Sequence, residues 1–139
     1  MRVLALSLIL LVAAFGASAG EISAKDEAAI RTVIEAQIDA FKRDDGPAAF
    51  GFAAPRLKTI FRDPDTFMRM VRDDYAAVYR PKVVSFRDLA NIEGNLVQPV
   101  LVVGPSNVPM TALYIMERQD DGTWRIGGCV LVPEPDKGT

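Results

Sequence analysis

The sequence contains no histidine and a single cysteine among its 139 residues. Histidine is the commonest transition-metal ligand and the one side chain whose ordinary pKa lies between pH 5 and 8, so imidazole metal centres and His-activated nucleophiles are excluded. One cysteine excludes a CxxC zinc or redox motif and any intrachain disulfide. A basic surplus is also missing: 16 Lys+Arg stand against 18 Asp+Glu, for a net charge of -2 and a pI of about 5.1. No electrostatic field is left to hold phosphates, and no nucleic-acid partner is expected. Gly104-Pro105-Ser106 lacks the lysine and the spacing of a phosphate loop, and no GxSxG elbow is present. The acidic pairs Asp44-Asp45, Asp73-Asp74 and Asp120-Asp121 lack the spacing of a calcium loop and read as solvated turn and helix charges. No metal and no cofactor is expected.

What is present begins with an export signal. Met1 and Arg2 form a short positive start, residues 3–15 are apolar apart from Ser7, and Gly16-Ala17-Ser18-Ala19 offers small residues in an Ala-x-Ala arrangement. Cleavage is expected after Ala19. The apolar run is shorter than the roughly 20 residues a spanning helix needs, so no stable membrane insertion is expected once the signal is removed. Residues 1–19 therefore read as a signal peptide, 20–132 as a single domain and 133–139 as a flexible tail, with a periplasmic or secreted destination. Cleavage removes Arg2, taking the basic count from 16 to 15 against 18 acidic residues and the charge from -2 to -3. About 120 residues remain, enough to bury roughly two-thirds of the unfolded chain's surface without disulfide staples. Cys129 is expected to serve as a small buried hydrophobe.

The first half of this domain reads as helices. Ser23 with Asp26 and Glu27 resembles a capping box that opens a helix to about Asp44. Ile30, Val33, Ile34, Ile38 and Phe41 share one face of it, and Arg31, Glu35, Asp39 and Lys42 the other. Gln37 falls in the middle of the apolar stripe. Its amide either ties down a neighbouring backbone segment or points into a cavity and meets a ligand or water. Asp45-Gly46-Pro47 restarts the chain for a short helix over 48–53, and 55–61 is ambiguous. Asp63-Pro64 begins a helix to about Tyr79, in which Phe67, Met68, Val71, Tyr75, Val78 and Tyr79 share a face. Tyr75 and Tyr79 would then stack four residues apart, as plain core or as a pocket wall.

After Pro81 the texture changes to strands, over 82–92, 96–103, 110–118 and 123–132. Their short connections make neighbours antiparallel. Asp121-Gly122 is a type I′ hairpin signal, Pro99 marks an edge or bulge in the second run, and Gly127-Gly128 marks a bulge in the fourth. Strands two to four carry apolar residues on both faces. One face can take the helices, and the other calls for curling or a second subunit.

The fold class is therefore α+β, with N-terminal helices packed on a curved four-stranded antiparallel sheet. That element order resembles the nuclear transport factor 2-like cone. Local phrases resemble a small exported bacterial family, domain of unknown function 4864: 34–41, Asp44-Asp45, Phe52-Ala53-Ala54-Pro55, 67–79, and Trp124 with Gly128-Cys129. The family resemblance implies export and the cone and supplies no activity. The wider superfamily contains isomerases, dehydratases and cyclases, lipid carriers of the bacterial envelope, and non-catalytic dimer modules. Its enzymes typically use an Asp, often with a His or Tyr, inside the cone. Without histidine, Tyr75 or Tyr79 with Asp44 or Asp74 is the pair that stays available.

Three functions follow in order of expectation. The first is a non-enzymatic binder of a small apolar ligand, with Gln37, Tyr75, Tyr79, Tyr114 and Met116 lining the cone. The second is a protein-interaction module, a homodimer through the sheet face with no ligand. The third is a cone-fold enzyme of the isomerase or dehydratase kind.

Overall fold

In a computed structural model, residues 22–135 are described; the expected signal peptide and residues 136–139 of the tail lie outside them. Helix α1, Ala24–Lys42, begins where Ser23 accepts a hydrogen bond from the Asp26 amide. Its buried face is Ile30, Ile34, Gln37, Ile38 and Phe41, the stripe the periodicity predicts. Asp44 takes a positive φ of 52°, turning the chain into α2, Gly46–Gly51, whose N-cap Asp45 accepts from the Ala48 amide. The ambiguous stretch is helical as α3, Pro55–Phe61, and Asp63 caps α4, Pro64–Asp74, by accepting from the Thr66 amide.

The expected continuous helix to Tyr79 is interrupted. Tyr75 has φ -131° and ψ 43°, and α5, Ala76–Tyr79, follows as a separate turn. Tyr75 and Tyr79 therefore do not stack along one helix edge: the break turns Tyr75 toward the sheet while Tyr79 stays beside α1.

The sheet is antiparallel and five-stranded. Its strands are β1 Val83–Phe86, β2 Ala90–Ile92, β3 Asn95–Val103, β4 Pro109–Arg118 and β5 Trp124–Pro133. The first expected strand is thus two strands, β1 and β2, both paired to β3. Pro99 explains the split. It sits in a strand flanked on both sides, not at an edge, and it has no N–H to give to the ladder. Opposite it the outer partner breaks, and Gln98 substitutes: its Nε2 donates to the carbonyls of Arg87 at 2.6 Å and Pro99 at 2.9 Å. Gln98 is only 1% exposed, so these bonds also satisfy a buried amide.

The turns are redistributed as well. Both Glu93 (φ 51°) and Gly94 (φ 84°) are left-handed, which places the type I′ turn between β2 and β3. At 120–122 only Gly122 is left-handed (φ 86°), and its amide donates to the Gln119 carbonyl, giving a type I turn closed by a glycine instead. The expected bulge is present: Ile115 pairs with Gly128 and Met116 with Ile126, leaving Gly127 as the extra residue. Glu134, expected in the tail, is held to the sheet by an ion pair to Arg87 at 2.8 Å and a hydrogen bond from Thr111.

One face of the sheet, Val100, Val102, Ala112, Tyr114, Met116 and Ile126, packs on the helices to form the core, with α1 and α3 against β5 and α5 against β3. Phe67 joins α4 to α1 and α2, with ring centroids 5.2 Å from Phe50 and 6.1 Å from Phe41. Each such fully buried side chain contributes roughly 1.5–3 kcal/mol.

Candidate functional site

A cavity of about 520 Å³ opens beside this core, walled by α1, α3, α4, the break at Tyr75 and residues 126–131 of β5. The wall is mainly aliphatic and aromatic, with Phe41, Leu57, Phe61, Phe67, Val71 and Ile126 among its members. The volume falls in the range of small-molecule pockets, roughly 300–1,000 Å³.

Gln37 belongs to this wall and is 4% exposed. Its amide ties down a neighbouring segment and also borders the cavity. Nε2 donates to the Ala49 carbonyl at 3.1 Å, fastening α2 to α1. A carbonyl can only accept, so the nitrogen must face Ala49 and the oxygen must face away. That oxygen has no hydrogen-bond partner, yet the one sealed, unpartnered side-chain polar atom among the described residues is the Tyr114 hydroxyl. Gln37 Oε1 therefore opens onto the cavity.

Tyr75 also lines the cavity, and its hydroxyl donates to the Cys129 carbonyl at 3.0 Å. Burial raises its pKa, helped by the negative forms of Cys129 and Asp74 nearby. Tyr114 also contributes to the wall, but its hydroxyl is enclosed and unpaired, and burial raises its pKa well above the ordinary phenol value. Cys129, directly across the ladder from Tyr114, lines the cavity as a free thiol pushed up to about 12 by burial. It is a protonated, inert group at neutral pH.

Two of the five expected ligand residues lie elsewhere. Met116 is core, paired across the sheet with Leu96 and Ile126. Tyr79 donates its hydroxyl to Asp44, and Arg80 completes that cluster. The Arg80 guanidinium reaches Asp44 at 2.9 Å and Tyr79 Oη at 3.2 Å, donates to the Phe41 carbonyl at 2.5 Å and lies 3.9 Å over the Tyr79 ring. This is a clamp on the C-terminus of α1, where a cation and donors satisfy helix carbonyls. The Tyr79 hydrogen bond, then the Arg80 partner, hold the Asp44 carboxyl below the usual range.

The wall residues that sequence reasoning missed include Leu57 and Phe61 of α3, whereas Asp74 at the end of α4, named there only as a candidate partner of a tyrosine, does line the cavity. Pro55 in the first helical turn and an apolar pair four residues apart were the available signals for α3. No group of three or more Cys, Asp or Glu suited to hold a metal ion exists among the described residues.

The chain matches the family model described as domain of unknown function (DUF4864) over residues 23–139, and it belongs to that family. No curated protein matches the chain and no solved structure does.

Proposed function

We propose that this member of the DUF4864 family is an exported, periplasmic binding module that holds a small, mainly apolar ligand in the cavity beside Gln37. The observation that carries the reading is a free carboxamide oxygen opening into an otherwise apolar wall. A large apolar cavity with few placed polar groups is the usual form of a small-molecule site. The nuclear transport factor 2-like cone is the architecture we assign to it, supported by helices lying on one face of an antiparallel sheet bent by the Gly127 bulge.

The chemistry of the wall favours binding over catalysis. The cavity tyrosines have no carboxylate within hydrogen-bond reach: Tyr75 donates to a backbone carbonyl and Tyr114 to nothing. The Tyr79–Asp44 pair does form, but at the α1 clamp and outside the cavity wall. A general base must reach the proton it removes, and among the described residues no tyrosine–carboxylate pair faces the cavity.

The test is titration of pyrene, a hydrocarbon without hydrogen-bonding groups, followed by its polarity-sensitive emission bands. Saturable binding to the wild type that is lost in Met70→Trp, which fills the wall from a half-exposed position, is the expected result. Equal pyrene uptake by both proteins would remove the cavity from the account.

A second reading, self-association through the sheet, is favoured by the opposite face. There Pro99, Leu113 and Val130 sit side by side across three strands, with Val130 48% exposed. An apolar patch of this kind fits a second copy of the chain. A monomer at high concentration in sedimentation equilibrium would eliminate it.

A further inference from the structure

Apart from the weak S–H donor of Cys129, the polar groups presented to the cavity are of one kind. Gln37 Oε1 is an acceptor without a partner, its nitrogen being committed to Ala49. Asp74, also in the wall, brings a carboxylate that forms no ion pair among the described residues. The Tyr75 hydroxyl spends its proton on Cys129, leaving lone pairs, and the Tyr114 hydroxyl is sealed behind the wall. Among the described residues, no lysine or arginine lines the cavity. From this one-sided set we infer that the ligand is an apolar molecule bearing an N–H or O–H donor, neutral or positively charged, and not an anion such as a fatty acid. The inference rests on the cavity reading above and names the ligand class of the same site.

Two physical effects act together. A buried acceptor without a partner forfeits a hydrogen bond that a ligand donor would restore. A carboxylate headgroup entering this wall would meet the Gln37 oxygen and Asp74 with no cation to offset its desolvation.

The experiment is displacement of bound pyrene by four probes of one chain length: dodecylamine, dodecanol, dodecyl methyl ether and dodecanoate, the charged pair below their micelle concentrations and the neutral pair below their solubility limits. Wild-type protein should be emptied by the amine and the alcohol at concentrations about three- to tenfold lower than by the ether, the worth of one hydrogen bond. Dodecanoate should be the weakest. Gln37→Leu should erase the advantage of the alcohol over the ether. Asp74→Asn, at an exposed position whose folding is not at stake, should reduce the advantage of the amine over the alcohol by about two- to fivefold. Dodecanoate binding as well as the amine, or an unchanged ranking in a folded Gln37→Leu protein, would overturn the inference while leaving the cavity reading standing. Failure of the wild type to bind pyrene at all would overturn both.

Discussion

The Tyr75 hydroxyl donates to the Cys129 carbonyl across 54 positions of sequence, at 3.0 Å. This one bond ties the break between α4 and α5 to the bulged strand β5 and fixes one side of the cavity. Tyr75→Phe removes it while keeping the ring. The expected cost is about 1 kcal/mol in denaturant unfolding, with faster amide exchange in α5. Unchanged stability and exchange would show that the break is held by packing alone.

Tyr114 should behave in the opposite way. Its hydroxyl is enclosed without a partner, so the fold carries its desolvation cost with no hydrogen bond in return. Tyr114→Phe should stabilise the protein by about 1 kcal/mol, or raise Tm by about 4 °C for a domain of this size. A lower Tm in calorimetry would mean that the hydroxyl has a partner in solution.

Acid should loosen α1 at both ends. Ser23, then Arg118 and Trp124, hold the Asp26 carboxyl below its ordinary value of 3.8, while Tyr79 and then Arg80 do the same for Asp44. A carboxyl depressed in the folded state contributes stability that is complete above the unfolded pKa and lost as pH falls through the folded one. Stability should therefore hold down to about pH 4 and decline below it. Asp44→Asn should flatten that decline in a pH series of urea midpoints, and an identical acid profile in the variant would contradict the assignment.

Cys129 should resist alkylation. Its thiol is pushed up to about 12, so almost no thiolate exists at pH 8. Iodoacetamide should modify it slowly in the folded protein and at the rate of an ordinary thiol in urea. Fast labelling of the native state would show that burial does not control it.

The helical half of the fold was legible because its signals are local. Ser23, Asp45 and Asp63 each accept from an amide three residues on, and the α1 stripe from Ile30 to Phe41 follows the helical period. The strand half was legible in outline and not in pairing. Pro99 reads as an edge residue until Gln98 is seen to supply the missing donor, which depends on a neighbour that only the folded sheet brings close. The break at Tyr75 was hidden for the same reason: its hydroxyl partner lies on β5, and helical spacing carries no trace of it. Gln37 could be singled out as a site residue from its place in an apolar stripe, and Tyr75 and Tyr114 also fall in the wall. Leu57 and Phe61 look like any short amphipathic turn until α3 is set against β5.

Whether the cavity beside Gln37 holds a small molecule is read most simply from a native mass spectrum of the protein purified gently from the cell that makes it. The wild type should carry extra mass that organic solvent releases, and Met70→Trp prepared in parallel should not. A wild-type spectrum at the bare chain mass, with pyrene unable to bind the same sample, would contradict the binding reading.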